Sequence, residues 1–127
     1  MYDFLTERVD YKNISSSSLA FLGDCVFELL VRLELISISD FSAKELHRLS
    51  ISRVCCQAQA EFLGEIIDDL TQEEFDVYRR GRNSHTSHVP KKAKSSQYHN
   101  ATGLECVFGY LYLKKDIKRI KYLFSLK

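Results

Sequence analysis

Two acids set in apolar surroundings are the places where chemistry could begin. Asp24 lies within Leu19-Ala20-Phe21-Leu22-Gly23-Asp24-Cys25-Val26-Phe27-Glu28, and Glu105 within Ala101-Thr102-Gly103-Leu104-Glu105-Cys106-Val107-Phe108-Gly109. A carboxylate among Phe, Leu and Val is costly to bury unless a cation or a donor meets it. Both stretches carry glycines at helical positions (Gly23, Gly103, Gly109), and a glycine inside a helix costs ~1 kcal/mol relative to alanine. Close approach of a second helix is the natural reason for them. Such a crossing would bring Asp24 and Glu105 together, and two carboxylates at close range repel unless a cation lies between them. Mg2+ suits an oxygen-only set of this kind and keeps several waters of its own. From the residues alone the alternative stays open that each acid pairs with a structural Arg or caps a neighbouring helix. Glu28, one turn beyond Asp24, either pairs with Arg32 at i, i+4 or stands at the edge of a metal site.

A second cluster is basic. Arg79, Arg80 and Arg82 are followed by Lys91, Lys92 and Lys94, with Asn83, Ser84, Thr86 and Ser87 between them. Small polar side chains interleaved with cations suit phosphate contacts, the sequence-independent part of nucleic-acid binding. From Val77 to Leu104 there are six Lys or Arg and no acid, whereas Glu61 to Asp76 holds seven acids and no base. That segregation predicts an electrostatic footprint for a polyanion, although any charge run can be a solvated face. Tyr98 stands nearly alone as a stacking aromatic, so a duplex suits the segment better than a single strand. His85, His88 and His99 near this segment are expected to be solvated or to meet phosphate, and His47 to be structural or at a groove rim. Cys25 and Cys106 each follow an acid; one helical position turns a side chain by about 100°, which makes them core fillers rather than ligands.

The elements that would position these residues are helical. The serine run 15–18 offers an N-cap for a long helix in which Leu19, Leu22, Val26, Leu29, Leu30 and Leu33 form one stripe. Its other side, with Ala20, Phe27 and Val31 around Asp24, is apolar too, so the helix must be covered twice, by a central position or by a dimer partner. Ser42-Ala-Lys-Glu45 has the capping-box pattern and opens a short helix. A longer one is expected from about Ile51 to Leu70, with Ile51, Val54, Cys55, Ala58, Phe62 and Ile66 inward. Thr71-Gln-Glu-Glu74 is a second capping box, and Gly81 a natural stop for its helix. Residues 82–96, holding the sole proline, Pro90, are expected to form a loop. Helical spacing returns at Ala101, Leu104, Phe108 and Leu111, and Asp116 can cap a last helix with Ile117, Ile120, Leu123 and Phe124 inward. No segment alternates as a strand would. The expectation is an all-α fold forming one domain over residues 1–127.

The bulk numbers exclude other classes. Of 127 residues, 45% are apolar and 28% charged, with a formal net charge of +1, ordinary for a soluble globular domain with a core of its own. The N-terminal Met1-Tyr-Asp-Phe-Leu-Thr-Glu-Arg lacks the apolar core of a signal peptide, and no apolar run reaches membrane-spanning length. Cys25, Cys55, Cys56 and Cys106 have no CxxC spacing and are expected to be reduced, mostly buried thiols in a cytoplasmic setting.

Leu19-Ala-Phe-Leu-Gly-Asp24 resembles the signature of the ribonuclease III catalytic domain, and Leu104-Glu-Cys-Val-Phe-Gly-Tyr-Leu-Tyr-Leu113 resembles its second acidic motif. Val31-Arg32, the His47 and Ser50 pair, Ala58-Gln59-Ala60, Arg80-Gly-Arg-Asn83 and Pro90-Lys91 extend the resemblance, and the best match is to the short Mini branch of the family, which lacks the double-stranded-RNA-binding domain. The resemblance implies an all-helical homodimer, with the ribonuclease III endonuclease-domain fold, that cuts double-stranded RNA with Mg2+ and leaves 5′-phosphate and 3′-hydroxyl ends. It further implies a cytoplasmic enzyme trimming the large-subunit (23S) ribosomal RNA precursor, with a ribosomal protein as a further partner. Position by position, Asp24 and Glu105 match the family's metal-binding carboxylates, and Arg79, Arg80, Arg82, Asn83, Lys91, Lys92 and Lys94 supply the RNA grip that the missing domain would otherwise give. Ala20 stands where the larger enzymes have a Glu and Thr102 where they have an Asp. With Thr102 and Glu28 at its edge, the site is pared down. The rival expectation is a double-stranded-RNA-binding or ribosome-associated module on the same scaffold without turnover.

Overall fold

The computed structural model describes residues 3–84 and 94–126. Its helices run in the order α1 (Asp3–Thr6), α2 (Ser16–Ile38), α3 (Ala43–Val54), α4 (Cys56–Ile66), a 3-10 turn (Ile67–Asp69), α5 (Gln72–Arg82), α6 (Ser95–Leu113) and α7 (Ile117–Ser125), with no strand among the described residues. The all-α expectation holds. Lys91 and Lys92, with His85, His88 and Pro90, lie outside the described residues.

The caps fall where the side chains called for them. Ser15 Oγ accepts from the Ser18 amide to open α2 and Ser42 Oγ from Glu45 to open α3. Thr71 and Glu74 form a reciprocal capping box at α5, and Asp116 accepts from the Arg119 amide at α7. Each such cap is worth about 1 kcal/mol.

α6 is the axis of the fold. Cys106, Val107 and Phe108 are fully buried, and Leu104 and Leu111 nearly so, because α2, α4 and α5 pack around it. Phe27 of α2 sits edge-on to Phe62 of α4 at 5.4 Å and to Phe108 of α6 at 5.5 Å, joining three helices through one aromatic cluster. α2 and α6 cross backbone to backbone. A Cβ built on Gly23 would stand 1.6 Å from the Glu105 carbonyl oxygen, and one on Gly109 would stand 2.2 Å from that of Leu19. The glycines flanking the acids therefore serve the close approach their cost demanded.

Several expectations are corrected. The chain breaks at Cys55, which is extended (φ −65°, ψ 157°), so the helix opened at Ser42 runs on to Val54 and a new one starts at Cys56. The phase shifts at the break, leaving Ile51 and Cys55 exposed rather than inward. α5 ends near Gly81 as expected, at Arg82, but Gly81 is itself still helical and packs against Cys106 and Gly103. Leu29 and Leu33 of the expected α2 stripe are exposed, as is Ile117 of α7, whereas Phe27 and Val31 are buried. Of the four free cysteines only Cys106 is buried; Cys25 and Cys55 are exposed.

Candidate active site

Asp24 projects from the third turn of α2 and Glu105 from the middle of α6, just beside the glycine crossing. Because the backbones touch at Gly23 and Glu105, the two side chains face a common opening. With Ser17, Ala20, Phe21, Ser84, Tyr98 and Thr102 they line a cavity of about 230 Å3. Asp24 is exposed, contrary to the burial expected from its apolar neighbours, and Glu105 is partly buried. Burial first, then the charge and hydrogen bonding of Asp24, push the Glu105 carboxyl up to about 8. Two carboxylates held close enough to resist joint ionisation form a donor set that a divalent cation would relieve. Among the described residues no group of three or more His, Cys, Asp or Glu is placed to hold a metal. The protein offers two carboxylates, and the rest of an octahedral shell would fall to water or phosphate oxygens.

The wall of the cavity is small and polar where further acids would crowd it. Ala20 lies one turn before Asp24, and Thr102, buried, turns its Oγ1 onto the Tyr98 carbonyl at 3.0 Å. Glu28 is drawn off to Arg32 at 2.8 Å, an exposed i, i+4 pair. Cys106, the neighbour of Glu105, points into the core and donates to the Ser16 carbonyl; burial drives its thiol up to about 12, which rules it out as a nucleophile.

A side chain that sequence reasoning passed over is Gln59. It was legible only as part of Ala58-Gln59-Ala60, yet Gln59, Phe62, Leu63 and Ile66 are the buried residues of α4, so a polar group sits on the inward stripe of an otherwise apolar face. Its amide comes near enough to Glu105 to favour the ionised carboxylate, while Nε2 makes no hydrogen bond of good geometry.

The basic residues lie at the C-terminal end of α5 and at the start of α6. Arg79 and Arg80 are exposed in the last turn of α5; Arg79 is 3.5 Å from Asp76, and Arg80 Nε donates to the Asp76 carbonyl at 3.4 Å. Arg82 lies over the Tyr78 ring at 5.4 Å and donates to Asn83 Oδ1 at 3.2 Å. Ser84, next along, lines the cavity, and Lys94 is the N-cap of the helix that carries Glu105. The Arg80 charge is felt at Cys106, one residue from Glu105. His99 stands 3.5 Å from Ser95 Oγ, and His47 lines a separate groove between α2 and α3.

Comparison with known proteins agrees with this geometry. Residues 17–116 match the family described as Ribonuclease III domain. The chain is 37% identical over 114 residues to Mini-ribonuclease 3 of Thermoanaerobacter sp. (strain X514), covering 90% of this chain and 80% of that protein. It is 39% identical over 103 residues to Mini-ribonuclease 3 of Symbiobacterium thermophilum, covering 81% and 79%. A crystal structure of a protein from Fusobacterium nucleatum superposes with a TM-score of 0.82 at 29% identity, covering 91% of this chain and 93% of that one.

Proposed function

The chain belongs to the ribonuclease III family of endoribonucleases, and we propose that it hydrolyses double-stranded RNA at the Asp24–Glu105 cavity with Mg2+. The observation that supports this reading is the convergence of two carboxylates from crossing helices on one cavity, which Ser84, two residues beyond Arg82, also lines. When bound, the cation supplies a hydroxide from water at neutral pH and steadies the charge on the phosphorane-like transition state. The protein's part is to hold and to position. Asp24, exposed on α2, and Glu105, partly buried on α6, would hold the cation between them. Attack of hydroxide on phosphorus would break the P–O3′ bond, and the departing 3′ oxygen would take a proton from solvent, leaving a 5′-phosphate and a 3′-hydroxyl. Arg79, Arg80, Arg82, Asn83 and Lys94, together with Lys91 and Lys92, neutralise backbone phosphates and set the duplex across the cavity. Thr102 lines the site and keeps its wall uncharged, whereas Glu28 is engaged with Arg32 and is not among the residues that line the cavity. Two protomers, joined through the outer apolar face of α2, would place two such sites on one duplex, one per strand.

The names of the Mini-ribonuclease 3 relatives support a processing role, and the substrate we propose is the end stem of the 23S ribosomal RNA precursor, cut in the cytoplasm with a ribosomal protein assisting. The test is incubation of the purified protein with that precursor duplex, with and without Mg2+, beside Asp24→Asn. The wild type should cut only with Mg2+, and Asp24→Asn should bind the duplex normally without cutting it. Cleavage by Asp24→Asn at near wild-type rate would remove the site assignment, and binding without cleavage by the wild type in Mg2+ would favour a non-catalytic binding module. Replacing Arg80 and Arg82 by Gln should weaken binding and flatten its salt dependence by about one counterion per lost phosphate contact; unchanged affinity and slope would remove these residues from the footprint.

A further inference from the structure

Among the described residues, Gln59 Nε2 is the buried side-chain donor without a hydrogen-bond partner. Gln59 is only 2% exposed, set between α4 and α6 with Phe62, Leu63 and Ile66 on its own face. An amide in such a place is unfavourable where it bonds nothing, and an apolar side chain would pack there without that cost. Its neighbour is the Glu105 carboxylate. We propose that Gln59 is a positioning residue for Glu105: its amide closes a hydrogen bond onto the carboxylate oxygen turned away from the cation, and so fixes the orientation in which Glu105 holds the metal. This rests on the reading of Asp24 and Glu105 as the metal site.

The residue type suits the task. A Lys or Arg reaching Glu105 from the core would neutralise it and compete with the cation, and a second acid would repel it. An amide donates without adding charge and does not titrate, so the full negative charge of Glu105 stays available. The geometry suits it as well. Asp24 comes from α2 and Glu105 from α6, and Gln59 reaches in from a third helix, α4, which is held in the core by its buried Phe62, Leu63 and Ile66. Support of a ligand from a separate rigid element is how outer partners orient metal-binding groups. The Gln59 donor that lacks a partner would be satisfied by a Glu105 oxygen held towards it.

The experiment uses Mn2+ as the probe, titrated into RNA-free protein and followed by electron paramagnetic resonance of the free ion. Wild type, Asp24→Asn, Gln59→Leu and Gln59→Met are compared, with melting curves of each in chelator. Both Gln59 variants should bind Mn2+ about 10- to 100-fold more weakly, with metal-free melting temperatures unchanged or higher. Duplex cleavage by Gln59→Leu should recover as Mg2+ is raised, while its RNA affinity without divalent ions stays that of the wild type. A merely structural glutamine predicts the reverse: lower melting temperatures and unaltered Mn2+ affinity, which would overturn the proposal. Should Gln59→Leu fail to fold, the unbranched Gln59→Met decides by the same two readouts. Equal Mn2+ binding by wild type and Asp24→Asn would instead overturn the reading of the site, and the proposal with it.

Discussion

Glu105 carries a proton in neutral solution when no cation is present, and that follows from where α6 places it. Burial and the nearby Asp24 lift its carboxyl from 4.5 to about 8. Folding then favours the protonated form, so its contribution to stability is complete below the unfolded value and is lost as pH rises through the folded one. In chelator, the wild-type melting temperature should therefore fall between pH 4.5 and about 8 by more than that of Glu105→Gln; parallel pH profiles of the two proteins would contradict the assignment. The same proton must leave when a cation binds. Calorimetric Mg2+ or Mn2+ titrations at neutral pH in buffers of different ionisation enthalpy should report release of up to one proton per site, and Glu105→Gln should abolish it. At this scale the sequence was informative, because an acid and a glycine in an apolar helix violate two local preferences at once. Gln59 was not, since a lone Gln between alanines violates none until its burial is known.

Helix placement follows from two kinds of signal, one much easier to read than the other. Ser15, Ser42, Thr71 and Asp116 all cap the helices they precede, since a cap is a local hydrogen bond between near neighbours. The break at Cys55 has no Gly or Pro to announce it, and it is imposed by packing of α4 on α6; hence the misassigned faces of Ile51 and Cys55. The crossing of α2 over α6 depends on Gly23 and Gly109, and a Cβ at Gly23 would have to displace backbone. Gly23→Ala should cost at least about 3 kcal/mol, the upper part of the overpacking range, seen as a large loss of melting temperature together with loss of cleavage. A different lock joins α5 to α7. Glu74, buried, meets Arg119 through two bonds of 2.8 and 2.9 Å, and Arg119 also donates to the Asp69 carbonyl. Burial alone would raise the Glu74 carboxyl, but the Arg119 hydrogen bonds, the Thr71 amide and the Arg119 charge together hold it below its ordinary 4.5. That stability is present above pH 4.5 and is lost on acidification through the folded value. Arg119→Leu should cost about 3 kcal/mol at neutral pH by leaving a buried carboxylate unpaired, and the deficit should narrow as pH falls below 4.5. A deficit independent of pH would place the cost in lost packing instead.

Among the described residues, one long face of α2 is left uncovered. Phe21, Leu29, Leu33 and Ile36 are exposed, Phe21 at 85%, and Cys25 lies among them at the same helical spacing. The buried residues of the helix, Leu19, Val26, Phe27, Val31 and Leu35, are spent on α6 and the aromatic cluster, so the second apolar side that the sequence displays has no intramolecular partner among the described elements. A contiguous apolar strip of this length suits an interaction surface, and the occupant we propose is a second copy of the chain, which would also account for its position. Asp24 lies one turn from Phe21 at the edge of the same helix, and Phe21 lines the cavity. A two-fold contact along α2 would bring two cavities into one assembly, as cutting both strands of a duplex requires. Leu29→Glu with Leu33→Glu lies on the strip but outside the cavity, so the pair tests association without touching the carboxylates. Analytical ultracentrifugation should find the wild type dimeric at micromolar concentration and the double variant monomeric. The variant should keep its helical circular dichroism, since neither side chain is buried in the protomer. Its RNA products should shift from paired double-strand cuts to single-strand nicks, which denaturing and native gels of the same digest separate. A variant that stays dimeric would take the contact between copies off this strip, and a wild type that sediments as a monomer would assign the strip to another partner and leave each cavity to act on one strand alone.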